Sequence, residues 1–222
     1  MSQLRWGADA PGDMAAARER LIDAAEACFQ RFGVMKTTIE DVARMAQVSR
    51  ATVYRYFAGR DELILGVLLR EGYRFLKRLT EHIAGVPELN DALVEGVLFT
   101  IRNVQSDENL ALLFAPETAG ITTSVPGASE ALFGITAEFL RPFFEAARAN
   151  GTLRACVDVD EAAEWVLRAI LSLVSFDGLH ARDDAAIRSF IRCFLVPAIL
   201  SETVEGLAPQ TRARRRTPLR AR

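Results

Sequence analysis

The stretch that decides the fold runs from Lys36 to Val67 and reads KTTIEDVARMAQVSRATVYRYFAGRDELILGV. Within it, Thr38 followed by Asp41 resembles a capping box, which predicts that a short helix begins there. Ser49 is placed to cap a second short helix that extends to Phe57, because its hydroxyl can accept a hydrogen bond from a free backbone N–H group. Two short helices joined by a tight turn predict a helix-turn-helix motif.

The sequence on either side of this stretch also has helical periodicity. Upstream, apolar residues from Leu21 to Phe32 fall on one face of a helix, and Gly33 is placed to end it. Downstream, apolar positions from Leu63 to Ile83 predict one long helix that ends near residue 84. Further helices are predicted over 88–105, 108–115, 128–149, 159–178 and 183–204, with a long loop at 116–127. Pro142 is expected to kink or restart its helix. Strand alternation is not visible, so the sequence predicts an all-α protein.

The second short helix of the motif has faces of different character. Val48, Val53 and Phe57 are spaced to bury one face. The residues left on or near the other faces are Arg50, Ala51, Thr52, Tyr54, Arg55 and Tyr56. A short helix that turns polar and aromatic side chains outward fits the major groove of double-stranded DNA, which is wide enough to admit it. The spacing therefore indicates a DNA-binding motif.

The formal net charge of −2 conceals an uneven distribution along the 222 residues. Residues 1–60 carry a net charge of +2, residues 61–205 a net charge of −10 and residues 206–222 a net charge of +6. A basic head and a basic tail around an acidic body indicate that an anionic partner meets the ends. The tail lacks apolar periodicity and is predicted to be disordered. Its arginines either add nonspecific affinity for phosphate or form a solvated extension.

Composition argues against several other classes of protein. Apolar residues never run for eighteen positions without a charge, and the N-terminus lacks the apolar segment of a secretory signal, so no membrane association is predicted. Cys28, Cys156 and Cys193 are far apart and are expected to be buried thiols in a reducing cytoplasm. Neither His82 nor His180 has a cysteine or carboxylate at ligand spacing. With no nucleophile–base pair or phosphate-binding glycine loop visible, we expect no catalytic residue, no metal and no cofactor.

Over about residues 14–67 the sequence resembles the TetR family of bacterial transcription regulators. The family pattern T-x-x-D-I-A-x-x-A-G-V-S-x-G-T-L-Y-x-Y-F-x-S-K-E-x-L stands here as T-I-E-D-V-A-R-M-A-Q-V-S-R-A-T-V-Y-R-Y-F-A-G-R-D-E-L. Gln47 replaces the turn glycine of the pattern, Ala51 replaces a frequent glycine and Arg60 replaces a lysine. The resemblance implies a three-helix DNA-binding domain over 14–74, with the helix-turn-helix at about 38–57. A long fourth helix would join it to a helical ligand-binding and dimerisation domain over 75–205.

The resemblance also implies which residues contact DNA. They are Thr38, Ser49, Arg50, Ala51, Thr52, Tyr54, Arg55, Tyr56 and Arg60. Thr38, Thr52, Tyr56 and Arg60 would contact backbone phosphates. Arg50 and Tyr54 would read bases, Arg55 would serve in either role, and the methyl of Ala51 would meet a thymine methyl. For both tyrosines, packing against the first helix is the alternative interpretation.

In such a regulator the C-terminal domain encloses a small-molecule pocket, and its last two helices form a four-helix interface with a second copy. The phenylalanines implied to line an apolar pocket are Phe99, Phe114, Phe133, Phe139 and Phe143. The aromatic residues implied to pack the last two helices at the dimer interface are Trp165, Phe176, Phe190 and Phe194. For any single aromatic residue, an ordinary place in the core is the alternative.

Together these features predict a homodimeric transcriptional regulator that binds a palindromic operator in double-stranded DNA. We expect a repressor that is released by a small, largely apolar ligand, which shifts the long fourth helix and the DNA-binding heads with it. An activator of the same family, a DNA-binding protein without an effector and an all-α enzyme with an accidental motif are the alternatives. The expected location is the cytoplasm, in association with the nucleoid.

Overall fold

The structure, a computed structural model, describes Trp6 and residues 12–106, 127–175 and 183–201. In these residues the regular elements are helices, and β-pairing is limited to a single antiparallel bridge between Leu153 and Leu200. The predicted all-α class is confirmed. The predicted helix at 108–115, the predicted loop at 116–127 except for its last residue, and the tail at 206–222 lie outside the described residues.

The N-terminal domain begins with helix α1 (Met14–Phe32), which the Asp13 side chain caps by accepting a hydrogen bond from the Ala16 N–H group. Gly33 ends α1 as predicted and has a φ of 80°, a conformation that favours glycine. Most of the apolar stripe of α1 is buried, but Phe32 is 40% exposed, with the Arg31 guanidinium over its ring. The buried part of the stripe therefore ends at Phe29, one turn before the helix does.

Helix α2 (Ile39–Met45) begins with the predicted capping box. The Thr38 hydroxyl accepts a hydrogen bond from the Asp41 N–H group at 3.2 Å, and the Asp41 carboxylate accepts one from the Thr38 N–H group at 3.0 Å. Hydrogen bonds from the Thr38 hydroxyl and N–H group hold the pKa of Asp41 below its usual value of 3.8. Ile39, Val42 and Ala43 of α2 are buried, while Met45 at its end is exposed.

Helix α3 (Arg50–Tyr56) follows α2 after a tight turn in which Gln47 has a φ of 58°. This is the left-handed conformation that favours glycine, the residue of the family pattern at this position. A glutamine there costs about 1 kcal/mol relative to glycine. Ser49 caps α3 as predicted, because its hydroxyl accepts a hydrogen bond from the Thr52 N–H group at 3.1 Å.

The fourth helix, α4 (Arg60–Ile83), runs through both parts of the molecule and packs on α1 at one end. The C-terminal part then contains α5 (Leu89–Ser106), α6 (Ala128–Ala149), α7 (Val159–Ser175), α8 (Asp184–Phe190), a π-helical turn (Ile191–Leu195) and α9 (Val196–Ile199). Helices α5 and α6 pack on α4, and α7 packs on α5 and α6. Because α4 packs on α1 in the N-terminal part and on α5 and α6 in the C-terminal part, a displacement of α4 affects both parts.

Pro142 lies in the interior of α6, which continues through it. Of the two expected effects of this proline, a restart of the helix is wrong, and a kink stays a prediction. Pro142 is exposed, and Leu140 and Phe144 on either side of it are buried in the core. Burial of these two side chains holds both flanking turns in place although one backbone hydrogen bond is missing.

The cysteines differ from the expectation of three buried thiols. Cys28 is buried in α1, and burial is the main factor that raises the pKa of its thiol. Cys156 and Cys193 are exposed, because Cys156 lies in the turn before α7 and Cys193 lies on the outer face of the π-helical turn. None of the helices among the described residues has the length and apolar character needed to cross a membrane.

Candidate DNA-binding surface and internal cavity

Helix α3 presents one apolar face to the core and one polar face to solvent. Val53 and Phe57 are buried, while Val48 is half-buried. The candidate DNA-contacting residues that lie exposed are Thr38, Ser49, Arg50, Ala51, Tyr54 and Arg55. These side chains lie at the start of α2 and along α3, and we call them together the recognition face.

Thr52 and Tyr56 lie apart from this surface, contrary to the expectation that they point away from the core. Both residues are 7% exposed. The Thr52 hydroxyl lies 2.8 Å from the Ser49 hydroxyl, and the Tyr56 ring packs edge-on against the ring of Trp6 with their centroids 5.9 Å apart. Trp6 itself is 2% exposed, and the Arg20 guanidinium lies over its ring. The ring of Tyr56 therefore contributes to the core of the N-terminal domain.

Arg60, at the start of α4, is bonded to the connection between α1 and α2. Its guanidinium donates to the backbone carbonyl of Thr37 at 2.9 Å and to that of Val34 at 2.6 Å. These carbonyls lie in the connection between α1 and α2, so Arg60 fastens this connection to α4. The departure from lysine at this position has a structural reason, since a planar guanidinium can serve two carbonyls at once.

At the N-terminus of α3, Arg50 is held by neighbours on two helices. Its guanidinium lies 2.5 Å from the Glu40 carboxylate of α2 and 3.4 Å from the Tyr54 hydroxyl one turn along α3. The guanidinium also lies 5.5 Å from the centre of the Tyr54 ring. The hydrogen bond to Tyr54 and the charge of Glu40 both raise the pKa of Arg50.

A cavity of about 80 Å³ lies between α4, α5, α6 and α7. Two of the predicted pocket residues, Phe139 and Phe143, line it. Phe99 stacks on Phe75 and His82 beside the cavity, and Phe133 lies on an outer groove with the Arg168 guanidinium over its ring. The remaining predicted residue, Phe114, lies outside the described residues.

The described wall of the cavity is apolar and carries no ionisable side chain. Its two side-chain hydroxyls already have partners within their own helices. Thr100 donates to the Gly96 carbonyl at 2.7 Å, and Thr136 donates to the Leu132 carbonyl at 2.8 Å. An apolar molecule therefore fits this wall better than a charged one, because a buried charge would find no compensating group there.

The predicted dimer residues lie on the outer face of the last helices. Trp165 on α7 is 47% exposed and Phe194 on the π-helical turn is 65% exposed. The rings of Phe190 and Phe194 contact each other with their centroids 4.9 Å apart. Phe176 lies outside the described residues. Exposed aromatic side chains such as those of Trp165 and Phe194 are typical of a protein–protein contact surface.

An ionic cluster links α1 to the middle of α4. Arg70 on α4 has only 12% of its side chain exposed and contacts three acidic residues on successive turns of α1. Its guanidinium lies 2.5 Å from the Asp23 carboxylate and 3.3 Å from the Glu19 carboxylate. It also contacts the Glu26 carboxylate. Arg74, one turn further along α4, lies 3.3 Å from Glu26. Helix α1 is thus fixed to the part of α4 that lines the cavity. No group of three or more histidine, cysteine or acidic side chains able to hold a metal ion occurs among the described residues.

Comparison with known proteins points to one family. Residues 21–67 match the family described as bacterial regulatory proteins, tetR family. The chain is 31% identical over 183 residues to MT1294, an uncharacterized HTH-type transcriptional regulator of Mycobacterium tuberculosis. The match covers 82% of this chain and 85% of MT1294. The chain is 25% identical to the probable acrEF/envCD operon repressor of Escherichia coli, over 80% of this chain and 86% of that one.

Solved structures share the fold. The crystal structure of RolR in complex with the ligand resorcinol superposes with a TM-score of 0.65, over 84% of this chain and 88% of RolR, at 17% sequence identity. The N-terminal three helices, the long α4 and the helical C-terminal part therefore follow an arrangement that has been solved before.

Proposed function

Because the chain belongs to the tetR family of bacterial regulatory proteins and is a DNA-binding transcriptional regulator, we propose that it is a homodimeric repressor that a small, largely apolar ligand releases from a palindromic operator. In this proposal residues 14–74 bind DNA, with the helix-turn-helix at about 38–57, and residues 75–205 bind the effector and the second copy. The observation that carries the proposal is that α3 presents a polar recognition face to solvent. This face belongs to the part of the molecule that ion pairs fix to α4, a helix that lines the cavity.

The recognition face supports sequence-specific binding in the major groove. Arg50 and Tyr54 lie exposed and adjacent, so their donors can reach base edges. Ser49 and Arg55 flank them, and Thr38 lies at the start of α2, where its hydroxyl can reach a phosphate. The recognition face is proposed to rest on Thr52, Tyr56 and Arg60, which would pack beneath it. These three residues would contact phosphates only through the atoms that remain accessible to solvent.

Two copies are needed to read a palindrome, and the exposed aromatic surface of the last helices supports a dimer. Trp165, Phe190 and Phe194 would bury their rings against the same surface of a second copy, because a two-fold axis uses one patch on both subunits. The two recognition helices would then lie about 34–36 Å apart, one turn of DNA.

The cavity supports release by an effector. Its apolar wall favours an uncharged ligand, and the resorcinol bound to RolR is an example of a small uncharged molecule bound to a protein of this fold. A ligand larger than the cavity must move its walls, and α4 is one of them. Because the ionic cluster fixes α1 to α4, a shift of α4 moves the recognition face. The protein then has a conformation that binds the operator and one that does not. The affinity for the operator falls by the factor by which the ligand prefers the second conformation to the first.

Selection of random duplex DNA by the purified protein, followed by sequencing of the bound pool, tests the proposal. We expect enrichment of an inverted repeat with half-sites about ten base pairs apart. The matched control is an Arg50→Ala, Tyr54→Ala variant, which should enrich no repeat. Absence of enrichment by the wild-type protein, with affinity that falls steeply as salt rises, would favour the alternative of nonspecific binding without an effector.

The direction of regulation is tested by placing the enriched repeat across the start site of a reporter gene. A repressor lowers reporter output when the protein is present and restores it when an effector is added. Higher output in the presence of the protein would favour the alternative of an activator. The probable repressor function of the Escherichia coli relative supports the first outcome.

A further inference from the structure

The contact between Glu40 and Arg50 places a negative charge on the recognition face. Glu40 lies in the first turn of α2, its side chain is 47% exposed, and its carboxylate lies 2.5 Å from the Arg50 guanidinium. An exposed carboxylate beside a surface that meets phosphates repels them, so it lowers the affinity for every DNA sequence. A carboxylate that contacts the first residue of α3 must therefore have another effect that offsets this loss of affinity.

The two partners of Arg50 contact different nitrogen atoms of its guanidinium. One terminal nitrogen of the guanidinium, Nη1, contacts Glu40, and the other, Nη2, donates to the Tyr54 hydroxyl. Each terminal nitrogen carries two hydrogens, so one on each remains for a further acceptor. Two parallel N–H donors match the O6 and N7 atoms of guanine. The two protein partners thus fix the plane of the guanidinium while its end stays available.

We propose that Glu40 is a positioning residue for base recognition: it holds Arg50 in the orientation that reads a guanine, and it keeps this arginine from moving to a neighbouring phosphate. The inference rests on the proposed function, because it requires that α3 reads bases. A neutral residue at position 40 would leave Arg50 free to pair with phosphate oxygens, which are present at every sequence. Specificity would fall while general affinity for DNA rises.

The test is the same DNA selection carried out in parallel with wild-type protein, Glu40→Gln, Arg50→Ala and the Glu40→Gln, Arg50→Ala double variant. In Glu40→Gln we expect the preference for guanine at one position in each half-site to fall about tenfold, and affinity for random DNA to rise. Because the effect acts through Arg50, adding Glu40→Gln to Arg50→Ala should not change the base preference further.

Asp61→Asn is the matched control, because Asp61 is an exposed acid in the first turn of α4. This variant should raise general affinity without altering any base preference. Thermal unfolding of each variant checks that the fold is intact, and a surface ion pair contributes little to stability. If Glu40→Gln selects the wild-type motif with unchanged discrimination, the inference is wrong while the proposed function stands. If the wild-type protein enriches no motif, both are wrong.

Discussion

Gly72 on α4 lies so close to Ile135 on α6 that a Cβ atom at position 72 would be 2.6 Å from the Ile135 Cδ1 atom. Both residues line the internal cavity. The absence of a side chain at position 72 therefore lets the two helices approach each other at the level where a ligand is expected. Since α4 also carries the ionic cluster to α1, this contact lies on the helix that joins the cavity wall to α1.

Gly72→Ala is predicted to weaken binding of an uncharged apolar probe such as N-phenyl-1-naphthylamine by at least about fivefold, because the displaced Ile135 side chain takes up cavity space. Stability should change by no more than about 1 kcal/mol, since the gain in helix propensity offsets the crowding. Probe fluorescence and urea unfolding measure the two effects. The control is Gly134→Ala on α6, where an added Cβ meets nothing within 4 Å. Equal probe affinity for both variants would contradict the prediction.

Arg70→Met is predicted to lower the free energy of unfolding by about 3 kcal/mol, because it leaves the partly buried Glu26 carboxylate without its main partner. The Arg70→Met, Glu26→Met double variant should recover most of this loss, since two apolar side chains can replace a buried ion pair at little cost. Urea unfolding of the two variants and the wild-type protein gives the comparison. A double variant as unstable as the single one would show that Arg70 stabilises the fold by other contacts.

Phe194→Glu is predicted to convert the protein to a monomer, because a charge at this exposed ring would be buried without a partner between two copies. Sedimentation velocity measures the mass, and operator affinity should fall at least about a hundredfold as the second half-site is lost. Met35→Glu is the control for oligomeric state, since Met35 is 68% exposed and lies in the connection between α1 and α2. A dimeric Phe194→Glu variant would place the interface elsewhere.

The capping box at α2 is predicted to make stability depend on acid pH. The pKa of Asp41 is lower in the folded protein than its usual 3.8, so its contribution is fully present above that value. As the pH falls below 3.8 towards the lower pKa of the folded state, protonation removes the contribution. Asp41→Asn should therefore destabilise the protein at pH 7 and have a smaller effect near pH 2.5, as urea unfolding at both pH values would show.

Thr38→Ala removes the other half of the box and should cost about 1 kcal/mol at pH 7. Lys36→Ala, in the same connection and outside the capping box, is the control. An Asp41→Asn effect that does not change between the two pH values would mean that the carboxylate is not the stabilising group.

Local features of the fold were predictable from the sequence because they depend on neighbouring residues. The Thr38 capping box, the Ser49 cap and the Gly33 stop each involve backbone groups within a few positions. The same holds for the exposure of Arg50 and Tyr54, which helical spacing fixes once the apolar face is known.

Contacts between distant parts of the chain could not be predicted in this way. Tyr56 is buried because Trp6, eight residues before α1, packs on its ring, and nothing in the periodicity indicates this contact. Phe99 was expected in the cavity because it is an aromatic residue of the C-terminal part, yet it stacks on Phe75 and His82 beside it. Composition identifies apolar residues, but only the packing of the helices decides which of them face the same space.

The measurement that tests the central claim most directly is the affinity of the wild-type protein for three duplexes built from the enriched motif. One carries the intact inverted repeat, one carries a single half-site, and one carries both half-sites with five base pairs inserted between them. The insertion turns one half-site by about half a helical turn. A dimer that reads a palindrome binds the intact repeat at least about a hundredfold more tightly than either altered duplex. Equal affinity for all three would contradict the account.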